Sequence, residues 1–242
     1  MALVRDYDVN PGRFRLGACV TDRYLTGVEG IHAHIVGMLR GAGAQLVADI
    51  GCGEGALAAA ARSLRIRVVG IDASPVMLTA SPDPRVQADA QRLPFASGAF
   101  DAAVMANMLY HLDDPVAAIG EARRLLRRGG QFVATAVSRH DSPELAAVWT
   151  PAATAFDAEE AVAIVATVFG TAEAERWDAP LITLPDHDAV RDYLIARFVS
   201  PARAAALAVK VSAPVTVTKR GAFIRATRLF EKIPLCYILN FL

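Results

Sequence analysis

The chain has 242 residues, 54% of them hydrophobic, and its 25 lysines and arginines balance 25 acidic side chains. That size suits one large α/β domain with a modest cap, and a zero net charge argues against a nucleic-acid binder, which usually carries a basic excess. Three separated cysteines, Cys19, Cys52 and Cys236, argue against a disulfide framework or a zinc site; the first ten residues lack a signal-peptide core and no apolar run is long enough to span a bilayer, so a reducing cytoplasm is expected.

Residues 1 to about 30 are mixed in pattern, with Pro11, Gly12, Gly17, Gly27 and Gly30 as punctuation. Thr21-Asp22 is placed to cap a short helix through Tyr24 and Leu25. Ile31 to Leu39 reads as a helix, and His32 and His34, two apart, would point away from one another on it. From Leu46 onward strands and helices alternate. The strands are expected at Leu46–Ile50, Ile66–Asp72, Arg85–Ala88, Phe100–Ala106 and Gln131–Val137. Between them fall helices at Glu54–Leu64, Ser74–Ala80 (Ser74 as cap, Pro75 at its first position) and Asp113–Arg128, the last stopped by Gly129-Gly130. The alternation predicts a mostly parallel sheet covered by helices on both faces. After Ser138 the rhythm changes. A helix opened by Ser142-Pro143-Glu144 would carry Trp149, and others are expected at Asp157–Phe169, Asp186–Phe198 and Pro201–Val209. Arg176–Leu184 is a strand candidate interrupted by Pro180. Val215–Thr218 and Ala222–Thr227 read as a hairpin or one bent strand, and the apolar stretch 233–242 is expected to pack on the body.

The stretch Val47-Ala48-Asp49-Ile50-Gly51-Cys52-Gly53-Glu54-Gly55-Ala56 organises the chain. A strand, a glycine-rich turn and a helix let a ligand approach the backbone, and the helix N-terminus would favour a negatively charged ligand end. Gly51, Gly53 and Ala56, followed by Asp72, also satisfy a dinucleotide pattern, so the loop alone leaves a nicotinamide cofactor open. The acids around it narrow the choice. Asp49, just before the loop, would repel a pyrophosphate; it suits an ammonium group or could tie down loop N–H groups. Asp72, at the end of the second strand, is placed to accept from both hydroxyls of a ribose. Asp89, after the third, could accept from an adenine amino group, with the N–H of Ala90 facing the ring edge. S-adenosylmethionine has an amine, a ribose diol and an adenine, and no phosphate.

At this point the sequence resembles the class I S-adenosylmethionine-dependent methyltransferases, most closely the ubiquinone/menaquinone-biosynthesis (type 11) group of small-molecule enzymes. The resemblance rests on the glycine loop, Val69 to Leu78, Ala88 to Phe95, Phe100 to Val104, Asn107 to Pro115 and Leu125 to Gly130, in that order, and covers roughly residues 46–137. It implies a Rossmann-like fold with a seven-stranded sheet, the last strand antiparallel. Asp49, Gly51, Cys52 and Gly53 would line the methionine end of S-adenosylmethionine, and Ala106 and Asn107 would approach the same moiety. Asp72 would bind the ribose, Ala73 and Met77 would lie against the adenine, and Asp89 and Ala90 would meet its edge. The chain departs from the pattern at Pro82 and Pro84, which trim the second helix.

Methyl transfer asks a protein to align donor and acceptor, exclude water and, for some acceptors, take a proton. His111 after the fourth strand and His140 after the fifth, beside Asp141, are the candidate bases; loop support and a solvated turn are the bland readings of the two. Tyr110, Trp149, Tyr193, Arg197 and Phe198 are candidates for the acceptor side, where an aromatic-plus-arginine wall would suit a planar or anionic molecule, although helix-core aromatics are commoner. Tyr7 and Tyr24 are placed to close over the cofactor. Asp113-Asp114 is better read as a helix start than as a metal site, so no metal is expected. The organisation expected is one domain: a cofactor-binding core at about 41–140, an N-terminal cap at 1–40, a lid at about 141–212, and strands and a tail at 213–242. The function expected is methylation of an O or N atom of a small molecule, in a monomer or homodimer with no nucleic-acid partner, leaving S-adenosylhomocysteine. A nicotinamide-dependent oxidoreductase and a non-catalytic S-adenosylmethionine-binding protein are the alternatives.

Overall fold

The computed structural model describes residues 7–229, so the tail at 233–242 and Cys236 lie outside the described residues. The chain begins with helices α1 (Pro11–Tyr24) and α2 (Ile31–Gly41), then runs β1 (Leu46–Ile50), α3 (Ala56–Ala61), β2 (Arg67–Asp72), α4 (Pro75–Leu78) and β3 (Arg85–Gln87). It continues through β4 (Phe100–Met105), α5 (Pro115–Leu125), β5 (Leu126–Val137), α6 (Ala161–Phe169), β6 (Glu173–Leu184), α7 (His187–Ile195), α8 (Pro201–Ala208) and β7 (Val215–Thr227). The strands form one seven-stranded sheet in the order β3-β2-β1-β4-β5-β7-β6. β7 runs antiparallel to both of its neighbours, and the pairs from β3 across to β5 are parallel. This is the Rossmann-like sheet that the resemblance implied.

Strand alternation sorts the core into two faces. Ala48, Ile50, Ala103 and Met105 pack with Ile119 and Leu125 of α5 and Val165 and Phe169 of α6. Val47, Val68, Ala102 and Val104 pack with Ile35 and Leu39 of α2 and Leu57 and Ala61 of α3. A third cluster builds the cap, where Val20 of α1 meets Val190, Tyr193 and Leu194 of α7, Ala204 of α8 and Val217 of β7. Burying a large apolar side chain contributes roughly 1.5–3 kcal/mol, so each layer has its own adhesive. No helix among the described residues is long and apolar enough to cross a membrane.

The parallel half follows the sequence closely, and the flanks depart from it for identifiable reasons. α1 is one helix of 14 residues started by Pro11, and Thr21 is internal to it, its hydroxyl donating back to the Gly17 carbonyl at 2.9 Å. Ser142-Pro143-Glu144 makes only a 3-10 turn at Pro143–Leu145. There the Glu144 carboxylate is drawn to the backbone N–H of Thr218 at 2.9 Å and to its hydroxyl at 2.5 Å, which fixes the segment on β7. α6 starts at Ala161 because Asp157, accepting from the Glu160 N–H at 3.2 Å and paired with Arg139, holds a separate turn ahead of it. The helix from Pro115 ends at Leu125, ahead of the glycine pair, and the chain passes directly into β5. Residues 215–227 form a single strand: Gly221 pairs with Val137 on one side and Trp177 on the other, and two ladders outweigh one weak β-former. Pro180 sits at a register shift in β6, an edge strand, where its missing N–H is tolerated.

Asp101 of β4 pins the start of β1. Its carboxylate accepts from the backbone N–H groups of Gln45 and Leu46 at 2.8 and 2.9 Å and pairs with Arg127 at 2.5 Å. Partial burial pushes its pKa up, but the bonds from Leu46, Gln45 and Arg127 win and hold it below the ordinary value. Its contribution is therefore present above the unfolded carboxyl pKa and is lost as pH falls through the folded one. Asp101→Ala should cost about 1–3 kcal/mol at neutral pH, read as a lower urea midpoint at unchanged m-value, and the deficit should shrink in acid.

Candidate active site at the strand ends

A cleft of about 2310 Å³ opens at the C-terminal edge of the parallel strands, where β1 and β4 send their loops to opposite sides. Open α/β sheets bind ligands at this switch point, and the volume exceeds the roughly 300–1,000 Å³ that one small ligand needs. The loop after β1 forms its floor. Gly51 and Gly53 have φ of 76° and 53°, a region that favours glycine. A Cβ on Gly51 would lie 2.7 Å from Met108 Cβ, and one on Gly53 would lie 3.1 Å from Phe14 Cζ. The loop is thus clasped between the β4 loop and α1.

The loop's N–H groups face inward. Gly51 and Cys52 donate to the Ile71 carbonyl at 2.7 and 3.0 Å, and Gly53 donates to Asp72 Oδ2 at 2.8 Å. α3 behind it has only six residues. These loop donors are already used, and Asp72, not Asp49, ties the loop down. Asp72 is also held through Oδ1 by the Ser74 N–H at 2.9 Å. Burial pushes its pKa up, opposed by those two bonds and aggravated by Asp8. Asp49 is 3% exposed on the α2/α3 side of β1, level with Val104 of β4. Burial, and then the charge of Asp72, push it up to about 7. The Cys52 thiol is raised to about 12 by burial and by both acids, so it stays protonated and is no nucleophile.

A ligand for this floor must tolerate carboxylates. Asp72 and Asp89 line it and Asp49 lies beneath it, while Arg15, which reaches the loop, is engaged by Glu54 at 2.7 Å. A pyrophosphate would bring further negative charge against Asp49 and Asp72. A ligand with an ammonium or sulfonium group and a ribose relieves them, so the residues fit S-adenosylmethionine.

Gly51, Cys52 and Gly53 line the cleft, as do Ala73 and Met77 after β2, Ala90 after β3, and Ala106 and Asn107 after β4. Asn107 has φ 53° and is locked by Thr135 of β5, whose hydroxyl accepts from the Asn107 N–H at 2.8 Å and donates to its side-chain oxygen at 2.9 Å. Thr135, wholly buried, was missed from sequence, although a lone hydroxyl inside the apolar run 132–137 is a usable signal. Tyr110, His111, Trp149 and Arg197 also line the cleft. Tyr7 reaches His111, its hydroxyl 2.5 Å from Nε2 with the rings edge-on at 5.3 Å.

Other candidates lie elsewhere. His140 is exposed and off the lining; its neighbour Asp141 turns inward to an ion pair with Lys219, a cleft residue that sequence reasoning passed over. Tyr193 is wholly buried beneath the lining, its hydroxyl 2.5 Å from Ser142 Oγ and 3.0 Å from Lys219 Nζ. Tyr24 packs against the cap core, away from the cofactor loop.

Residues 48–134 match a family model described as a methyltransferase domain. Over that stretch the chain is similar to methyltransferase domains. S-adenosylmethionine is the methyl donor of that family. A ubiquinone biosynthesis O-methyltransferase of Xanthomonas oryzae is 33% identical over 108 residues, 40% of this chain and 45% of the relative. The matched stretches of the first curated relatives cover less than half of those proteins. Among solved structures, a Thermotoga maritima S-adenosylmethionine-dependent methyltransferase aligns with TM-score 0.57 at 18% identity, over 92% of this chain and 98% of that one. The [4+2]-cyclase SpnF aligns with TM-score 0.61 at 18% identity, over 93% and 95%. These two likenesses concern the fold.

Asp49 connects the floor of the cleft to pH. An unfolded aspartate ionises near 3.9, and the folded one near 7. Between those values the folded state holds the extra proton, so this group's contribution to stability falls as pH rises. Asp49→Asn should therefore raise the melting temperature at pH 8 in the ligand-free protein. A cationic ligand favours the ionised acid, so wild-type affinity for S-adenosylmethionine should increase from pH 6 to 8, and calorimetry on the variant should give weaker binding with a flattened slope.

Proposed function

We propose that this chain transfers a methyl group from S-adenosylmethionine to an O or N atom of a small molecule. The observation that carries the reading is the trio of carboxylates Asp49, Asp72 and Asp89 at the ends of neighbouring strands, around a loop too tight for side chains at Gly51. S-adenosylmethionine supplies a methyl carbon activated by a sulfonium; the acceptor's lone pair forms the new bond and the carbon–sulfur pair stays on sulfur. Asp72 would hold the ribose hydroxyls, prepositioned by the Gly53 and Ser74 N–H groups. Asp89, its Oδ1 accepting from the Gln91 N–H at 2.9 Å, would meet the adenine edge. Asn107, fixed by Thr135, would guide the methionine end.

His111 is the proposed proton acceptor, since it lines the cleft and His140 does not. A small acceptor fits the neutral net charge, and a secondary metabolite is the kind we favour. The Xanthomonas relative acts in ubiquinone biosynthesis as an O-methyltransferase, which supports oxygen ahead of nitrogen. A shared fold does not by itself fix a chemistry, as the [4+2]-cyclase likeness illustrates, so labelled methyl transfer is the deciding measurement.

S-adenosylhomocysteine should raise the melting temperature and NAD(P) should not; stabilisation by NAD(P) alone would sink the proposal. Asp72→Ala should weaken S-adenosylhomocysteine binding by about 1–3 kcal/mol, the scale of a charge-assisted hydrogen bond. His111→Ala should lower kcat by about 10²–10⁴ while leaving that binding within a few-fold, and an unchanged kcat would remove the histidine from proton transfer.

A further inference from the structure

We propose that Arg197 and Tyr110 form a docking point for an anionic group on the methyl acceptor, a carboxylate on a planar aromatic or conjugated skeleton. The inference rests on the methyl-transfer reading and names the acceptor's class.

Among the cations lining the cleft, Arg203 is exposed and Arg13 is stacked on Phe198, whereas Arg197 is half-buried and held in place. Lys219 is neutralised by Asp141, and Arg139 is engaged by Asp157 at 2.6 Å and Glu160 at 2.8 Å. The Arg197 guanidinium stacks 3.2 Å from the Tyr193 ring centre and donates through Nη1 to the Tyr193 carbonyl at 3.0 Å. It faces no carboxylate among the described residues, and it is half-buried on the cleft wall. A planar fork of donors held in place by an aromatic face, with a charge still to be matched, is suited to a carboxylate.

Tyr110 supplies a second donor. Its hydroxyl has no hydrogen-bond partner among the described residues, and it lines the same cleft. Burial pushes the phenol up to about 12, against the lowering pull of the Arg197 and Arg13 charges, so it keeps its proton at working pH. Both arginines thus act on one phenol.

The walls are flat. Phe198 has φ 65°, a strained value for a residue with a side chain, and its ring lies under the Arg13 guanidinium at 3.6 Å and 6.1 Å from the His111 ring. The Tyr110 ring is 4.4 Å from that of His111. Asp72 holds the glycine loop with Asp49 beneath it, whereas the Arg197 and Arg13 charges fall on Tyr110. A cationic donor suits the acids and an anionic acceptor the arginines.

The test is calorimetry with 4-hydroxybenzoate and its uncharged amide on protein saturated with S-adenosylhomocysteine. Binding of S-adenosylhomocysteine is measured first; its failure would sink the methyl-transfer reading separately. With it bound, the acid should bind at least about tenfold tighter than the amide, the scale of one charge-assisted hydrogen bond. Arg197→Gln should erase that preference by weakening the acid alone, with the amide and S-adenosylhomocysteine unchanged, and Arg197→Lys should restore part of it. Should Arg197→Gln lose its thermal transition, Tyr110→Phe carries the test, because it removes one oxygen and keeps the ring; a several-fold loss of acid preference supports the docking point and an unchanged preference overturns it. Equal affinity for acid and amide, no measurable binding of the acid, or an equal loss of both in Arg197→Gln also overturns it.

Discussion

Two carboxyl groups, Asp49 and Asp72, sit close enough for the charge of Asp72 to raise the pKa of Asp49, and neither is paired with a lysine or arginine among the described residues. That is a costly arrangement, since burying like charges without a counter-ion disfavours their ionised forms. Much of the surrounding structure serves to keep it. Asp72 is held by two backbone N–H groups, so it cannot swing out to water. Asp49 sits inside a strand hydrogen-bonded on both sides, so it cannot leave without disrupting the centre of the sheet. The result is a preformed electrostatic demand for a positive ligand, supplied by backbone geometry and not by flexible side chains.

The sheet order explains how the rest of the site converges. β1 and β4 are adjacent, and the loops that leave them part company, so the Gly51 loop and the Asn107–His111 segment face one cavity although they lie far apart in the chain. β5 lies beside β4 and sends Thr135 under Asn107. The antiparallel β7 then places Lys219 beyond the end of β5, where it neutralises Asp141. The glycine-loop floor of the cleft is built by the parallel strands, and the wall that carries Arg197 by the cap.

Legibility in the sequence followed the range of the forces. β1 was read with its observed bounds, and Ser74-Pro75 was read as a helix start because the cap is local; Ser74 Oγ accepts from the Met77 N–H at 3.1 Å. The positions around the glycine loop were readable for the same reason: strand, turn and acid are neighbours in the chain. The flanks were not. Whether Glu144 continues a helix depends on Thr218, and whether His140 or Asp141 faces inward depends on Lys219. Tyr193 looked like a wall residue by its type, but α7 turns it into the cap core and leaves Arg197 on the surface of the cleft. Such choices are made by partners far away in the chain, seventy-four residues for Glu144 and seventy-eight for Asp141, which single-sequence patterns do not record.

The segment that begins at Tyr7 touches the site at several points. Tyr7 bonds His111, Asp8 accepts from Ser74 Oγ at 2.5 Å, Phe14 covers Gly53 and Arg15 pairs with Glu54. The Tyr7 and Phe14 rings also meet edge-on, their centres 6.0 Å apart, which ties the two contacts together. Lifting Phe14 from the loop would draw the Tyr7 phenol away from the imidazole. Access to the glycine floor and the hydrogen-bonding state of His111 are therefore a single mechanical variable, and the histidine's environment reports whether the floor is covered.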